Sequence, residues 1–428
     1  MMTDLPVGVP LPPELGTAGT PRDTFIRFWG VGEDPRSRLE LPIEKVSGHL
    51  TVDWVPSLPA SVSSSLVGWP PHLIEPILED ESEFLAMRLE VERSDGQWKV
   101  FLSWMLGVAC TRQFLESEGY LWVAPLSAFY PKPNPNATTP VDLSPNWDLL
   151  TFPSSSVVVT RKQGSLYRLR PDYIAIRPEV PQVGYEWAVV EAKGTSKRLK
   201  NCPDDWHEQV RSVDVKLDGE PLQVHRNLVV ATRVDRESTN SLTRRIAVRA
   251  WNSTKDPKLS AFPAKAAVEV VAAHLFGLFR TLHLHENARA LALSTQARNG
   301  GYPETKELEN AADRAREELS KRVSPVSANQ AEASSKETPG AFRTAIRTDL
   351  GAIEVEISAP AIALTQRLQM ASSAESAQSA HREADIVLKA WFTTEMSLPR
   401  EPGRVILPFG VKLLVPGTFD KIFRRGDR

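Results

Sequence analysis

The sequence predicts an α/β protein: a central α/β core flanked by a β-rich N-terminal region and a mainly helical C-terminal region with some strands. Three observations lead there. Runs of β-branched and aromatic residues bounded by Pro and Gly occupy the middle of the chain, such as YIAI at 173–176 and WAVV at 187–190. A helix–glycine–strand pattern precedes them at 103–125. Beyond Pro263 the sequence becomes Ala-rich, helix-forming and partly amphipathic.

The 428 residues suffice for two or three domains and a large core. A formal net charge of −2 leaves no global field for nucleic acid, so any such binding must come from local basic patches. Cys110 and Cys202 form no CxxC pattern, which speaks against a disulfide framework or a zinc site and suits a reducing cytoplasm. No apolar run reaches membrane-span length, and no signal-peptide pattern opens the chain, so the expectation is a cytoplasmic protein without a membrane partner.

Residues 1–22 are rich in Pro, Gly and Thr and read as a mobile arm. Residues 23–102 form the β-rich region. Its Phe28, Trp29, Trp54 and Trp69 suit a core better than a base-stacking surface. Alternation at Leu85–Met87–Leu89–Val91 and again at Trp98–Val100–Leu102, around Asp95-Gly96, predicts a hairpin. Ser103 then caps a helix that stops at Gly119, and a strand covers 120–125. The Pro/Asn-rich stretch 130–147 is a long loop. Two short runs, 157–160 and 165–169, predict a further hairpin.

The stretch 170–200 carries the chemistry. Its two apolar runs predict an antiparallel pair, with Asp172 before the first run and Glu191 closing the second. Side chains at i and i+2 share a strand face, so Glu191 and Lys193 project together while Ala192 points away. If the strands pair, Asp172 stands beside Glu191. Two carboxylates and a lysine then converge, an oxygen-donor set that suits Mg²⁺ or Mn²⁺. The sequence alone equally permits a solvated strand end with ordinary charges. Arg161, Lys162, Arg168, Arg170, Arg177, Lys197, Arg198 and Lys200 give either a phosphate-binding face or a solvated surface, in equal balance. A helix from about 203 to 213 follows, with Asp204 and Asp205 favouring its N-terminus, and 227–233 (NLVVATR) is a buried strand. His207 on that helix suits a surface histidine better than a proton shuttle.

Pro171-Asp172, the intervening loop and Glu191-Ala192-Lys193 resemble the PD-(D/E)xK signature of restriction-endonuclease-like nucleases. The resemblance spans about 103–235 and implies a restriction-endonuclease-like mixed-sheet core within 103–260. It also implies divalent-metal dependence and phosphodiester hydrolysis, with DNA favoured over RNA as substrate. Asp172, Glu191 and the Ala192 carbonyl would hold Mg²⁺ or Mn²⁺, Lys193 would assist the nucleophile or the transition state, and Gln209 would position substrate or water. Arg170, Lys197 and Arg198 would bind nucleic acid. In the family the first helix often supplies one more acid shortly after a glycine. Here Val108 follows Gly107, and Glu116 or Glu118 would be distant substitutes or plain surface acids. Large flanking regions around such a core suggest, by analogy, bacterial or antiviral defence. A non-catalytic nuclease-like subunit of a larger assembly is the alternative.

The helical region covers 261–323. His283, His285 and Glu286 are not expected to form a metal cluster, because i and i+2 diverge on a helix. A Ser/Ala/Pro-rich linker spans 324–340, and an α+β unit spans 341–428, with strands at 352–357 and 405–415 and a long helix over 361–395 broken at SSAESAQSA. A protein partner bound through this end and self-association both fit the sequence, as does a basic terminus at 421–425 that touches nucleic acid or a partner. No GxxxxGK[ST] nucleotide loop occurs.

Overall fold

The computed structural model describes residues 25–29, 38–40, 48–50, 78–81, 84–87, 96–130, 156–162, 171–178, 185–195, 202–224, 226–234, 246–254, 262–299, 305–321, 341–348, 351–371, 373–398 and 404–414. Among them the fold is mixed α/β. The N-terminal strands are β1 (Phe25–Trp29), β2 (Arg38–Glu40), β3 (Leu78–Glu81) and β4 (Phe84–Met87). Helix α1 (Gly96–Ser117) leads to β5 (Trp122–Pro125), β6 (Val157–Arg161), β7 (Tyr173–Pro178) and β8 (Tyr185–Thr195). Helix α2 (Asp204–Arg211) precedes β9 (Val213–Leu217), β10 (Glu220–Leu222), β11 (Arg226–Val234) and β12 (Ile246–Asn252).

The central sheet has nine strands in the order β3-β4-β1-β12-β11-β8-β7-β5, with β2 beside β1. β5, β7 and β8 run antiparallel to their neighbours, and β11 lies parallel to β8. Period-two alternation sorts the two faces of the sheet. Tyr173, Ala175, Ala188, Val190 and Ala192 pack under α1. Ile174, Ile176, Trp187, Val189 and Val229 join the larger core on the other face. The N-terminal strands extend this same sheet rather than building a layer of their own, because β1 pairs in parallel with β12 and β4.

One sequence expectation needs correction. Residues 98–102 are helical, not a hairpin arm, and α1 begins at Gly96. Alternation over five residues does not distinguish period two from 3.6. Leu102, Met105, Leu106, Ala109, Cys110 and Phe114, at helical spacing, decide the matter by burying one stripe on the sheet. Strand β6 pairs with β9, and β9 with β10, in a separate three-stranded sheet. The predicted partner at 165–169 lies outside the described residues. So do the loop 131–147, Trp54, Trp69, the 324–340 linker and the basic end at 421–425.

Helix α3 (Ala264–Thr281) is buried along nearly its whole length. Its Glu269 anchors β6 by accepting from the backbone N–H groups of Ser156 (2.9 Å) and Val157 (3.1 Å) and from the Ser156 hydroxyl. Helices α4 (His285–Arg298) and α5 (Thr305–Lys321) follow. His283 sits in the turn between α3 and α4 with φ of 55°, and its ring lies 5.7 Å from that of His285. The two rings therefore do meet, contrary to the helical argument, since the helix breaks between them. Among the described residues no group of three or more His, Cys, Asp or Glu side chains could hold a metal.

The C-terminal strands β13 (Phe342–Thr348), β14 (Gly351–Ile357), β15 (Arg404–Leu407) and β16 (Val411–Leu414) form a four-stranded antiparallel sheet. Helices α6 (Ala359–Met370) and α7 (Ala374–Ser397) fill the interval. Most of the SSAESAQSA stretch is helical. The break is confined to its start, where Ser373 caps α7. One continuous core joins this unit to the central sheet. Trp122 Nε1 of β5 donates to Asp385 Oδ1 of α7 at 2.9 Å, and the His274 ring of α3 lies 4.4 Å from Phe409. Among the described residues no helix is long and apolar enough to cross a membrane. Cys110 and Cys202 are buried and unbonded.

Candidate active site

Asp172 stands at the N-terminal lip of β7, one residue before Tyr173 pairs with Val190 of β8. Its backbone is pinned on both sides. The N–H donates to the Val190 carbonyl (3.0 Å) and the carbonyl accepts from Leu126 N–H (2.8 Å). Its side chain continues the Ile174–Ile176 face, and Glu191 and Lys193 continue the Trp187–Val189 face, which is the same side of the sheet. The sequence expectation for these three residues therefore has its counterpart in the fold. Asp172 Oδ2 accepts from the Ala192 N–H at 2.8 Å. The N–H and C=O of one strand residue point to the same side, so the Ala192 carbonyl is directed past the start of β7 toward Asp172.

Glu191 is 2 % exposed. Its Oε1 pairs with Lys193 Nζ, and its Oε2 is buried with no hydrogen-bond donor among the described residues. Lys193 Nζ also donates to Gln209 Oε1 at 2.8 Å. Gln209 reaches the amine because α2 begins directly after Pro203, with Asp204 and Asp205 in its first turn, and buries Gln209 and Val210 against the sheet. One turn earlier on the same helix, Trp206 holds its ring centroid 6.0 Å from Lys193 Nζ. The sequence reading missed Trp206. Its signal was the i, i+3 spacing to Gln209, which puts both on one helical face.

Burial raises the Asp172 carboxyl to about 6, opposed by the Ala192 N–H and by Lys193. Burial and the Asp172 charge raise Glu191 well above the usual carboxylate range, opposed by Lys193. Two enclosed acceptors thus face each other with one ammonium for compensation. A proton or a cation between them relieves the repulsion. The orphaned Glu191 Oε2, the Asp172 carboxylate and the inward-directed Ala192 carbonyl form an all-oxygen donor set, which fits Mg²⁺ or Mn²⁺.

Two glycines set the geometry of this corner. A Cβ on Gly194 would lie 1.8 Å from the Ser103 carbonyl oxygen, and one on Gly107 would lie 2.9 Å from the Gly194 nitrogen. Helix α1 therefore touches β8 backbone to backbone at the Lys193 end. Gly107 leaves no room for a side chain toward the strand.

Other candidates lie elsewhere. Glu116 is nine residues beyond Gly107, roughly 14 Å along the helix. Its carboxylate is 3.7 Å from His49 Nε2, and Glu118 is 3.8 Å from Arg226 at the opposite end of β8. Both therefore lie away from the Lys193 end of β8. Arg177 is no part of a basic face either. It is 8 % exposed, pairs with the directly opposed Glu186, and donates to the Glu118 carbonyl at 2.6 Å. His207 Nδ1 shares a short hydrogen bond with the Ser253 hydroxyl, and burial lowers its pKa. Arg170, Lys197 and Arg198 lie outside the described residues, with Arg168 and Lys200. The chain matches no family model, no curated protein and no solved structure.

Proposed function

We propose that this chain is a metal-dependent nuclease that hydrolyses phosphodiester bonds, with DNA favoured over RNA. The observation that carries the reading is the convergence of Asp172, Glu191, Lys193 and Gln209 at one end of β8, with Lys193 bonded to both Glu191 and Gln209. The chain order α1, β5, β7, β8, α2, β11 supports it. So does the arrangement of β5, β7 and β8 antiparallel with β11 parallel to β8, which is the layout expected of a restriction-endonuclease-like core.

Asp172 and Glu191 would hold the ion together with the Ala192 carbonyl. A divalent cation bound there would supply Lewis acidity toward the phosphodiester. Gln209 fixes Lys193, so the ammonium stays at the mouth of the site. There it stabilises charge building on the phosphoryl oxygens or orients the attacking water. Ala192 N–H holds the Asp172 carboxylate in place. A second reading, a non-cutting subunit that binds nucleic acid within an assembly, is favoured by one observation. Helix α1 meets the strand end with Gly107 and supplies no acid.

Cleavage of linear and supercoiled DNA and of single-stranded RNA, in Mg²⁺, Mn²⁺ or EDTA, separates the two. The nuclease reading expects metal-dependent cutting that Lys193→Ala lowers at least about 100-fold, the scale of an electrostatic group at a transition state. Equal cutting by wild type and Lys193→Ala would refute the assignment. Binding without cutting in every metal would favour the second reading.

A further inference from the structure

The site has a half-buried tryptophan at its mouth. Lys193 is the member of the constellation that reaches solvent, with its side chain 20 % exposed against 3 % for Glu191. Trp206 packs one side against the core and lies 6.0 Å from the Lys193 ammonium. On the opposite face of the sheet, the backbone of Ser103 and Trp104 presses against Gly194, and the Trp104 side chain is 39 % exposed. At Trp104 only the backbone meets the strand, so the indole placed beside the lysine is that of Trp206. A core-filling role accounts for the inner side of Trp206. It does not account for a ring held beside the one group of the constellation that reaches solvent.

We infer that Trp206 stacks on an unpaired base beside the scissile phosphate, which makes single-stranded nucleic acid or a frayed end the substrate of this site. The inference rests on the nuclease reading and names its substrate class. A phosphate engaged by Lys193 brings the neighbouring base within reach of the Trp206 ring. A base in a duplex is already stacked on both faces, whereas an unpaired base offers a free one. Stacking on aromatic side chains tolerates any sequence. That suits a site whose described residues show no array of groups to read base edges.

The test uses the full chain with Ca²⁺ in place of Mg²⁺, and a fluorescein-labelled single-stranded DNA beside a blunt duplex of the same sequence. Trp206→Ala is expected to weaken single-strand binding roughly 5- to 150-fold, with duplex binding unchanged. Trp206→Phe keeps a ring and is expected to restore most of the affinity, which a purely structural loss would not allow. Melting curves confirm that each variant folds. Wild-type affinity in Trp206→Ala overturns the inference. Preference of the wild type for the duplex, with Mn²⁺-dependent duplex cutting intact, overturns the inference and leaves the nuclease reading standing. Absence of both binding and cutting on either DNA overturns the two together.

Discussion

Replacing Asp172 by Asn should make the metal-free protein more stable, not less. The structure holds two enclosed carboxylates against each other, and burial raises Asp172 from the usual 3.8 to about 6. At 1.36 kcal/mol per pKa unit, the ionised side chain costs the fold up to roughly 3 kcal/mol at neutral pH. Asp172 is only half-buried as a residue, so solvent screening makes that figure an upper bound. Asn keeps an oxygen for the Ala192 N–H, and its amide can donate to Glu191. The sign follows from linkage. A group whose folded pKa is raised lets the native state bind more protons than the unfolded chain between 3.8 and about 6. Its contribution is most favourable below that window and is lost as pH rises through it. In EDTA at pH 7.5, Asp172→Asn should therefore melt above wild type. At roughly 2.1 cal/mol/K of unfolding entropy per residue, 3 kcal/mol over this length is a rise of about 3 °C. Below about pH 4 the difference should vanish.

Mn²⁺ should close the gap. A ligand at 100 times its dissociation constant stabilises by about 2.7 kcal/mol, which raises wild type by a similar few degrees and leaves the variant unmoved. Differential scanning fluorimetry with EDTA and with Mn²⁺, across pH 4 to 8, reads all of this. If the Asn variant melts lower in EDTA at pH 7.5, burial does not hold the Asp172 carboxylate at a cost. If Mn²⁺ raises both proteins equally, the ion binds elsewhere.

Two other perturbations probe the frame. Gly194→Ala forces a Cβ to 1.8 Å from the Ser103 carbonyl, so α1 must move off β8. About 3 kcal/mol or more of stability should be lost in urea titrations, whereas Gly96→Ala, with nothing within 4 Å, should stay within about 0.5 kcal/mol. His274 is lowered from 6.5 to about 3 by burial and by Arg112, while Nδ1 bonds the Val123 carbonyl at 2.7 Å. Its folded pKa is depressed, so the unfolded chain takes up the proton first and stability falls as pH drops from 6.5 toward 3. His274→Gln should flatten the stability–pH curve there by up to about 1.4 kcal/mol per pH unit, and an unchanged slope in urea melts at several pH values would refute the buried-neutral assignment.

What the sequence made legible was local. The alternation along β8 puts Glu191 and Lys193 on one face whatever the rest of the chain does, and Pro171-Asp172 starts a strand one turn of register away. What it concealed was set by distant partners. The dipeptide Asp-Gly occurs both before α1 and between β9 and β10. At Asp218-Gly219 both residues have positive φ (53° and 90°) and close a two-residue hairpin. Gly96, by contrast, is the first residue of a helix, because Leu102, Met105 and Leu106 find a sheet to cover. Strand β6 could not announce β9, which lies more than fifty residues on, nor the Glu269 carboxylate that anchors it from another helix.

One member of the candidate basic face is spent elsewhere for a related reason. Arg177 is basic in the sequence, but register sets Glu186 directly opposite and both charges are consumed at the far end of β8. Lys193 escapes that fate only in part, since Glu191 and Gln209 both hold it. The two ends of one strand thus carry the same kinds of groups with different balances. At the Tyr185 end, Arg177 and Arg226 meet Glu186 and Glu118, cation for anion. At the Thr195 end two carboxylates share one ammonium, and Glu191 Oε2 has no donor among the described residues. A proton shared with Asp172 or a bound cation would relieve that imbalance, and under the proposed function a divalent cation takes the place. The Mn²⁺ arm of the melting experiment separates the two, because a corner satisfied by a shared proton leaves wild type unmoved by the ion.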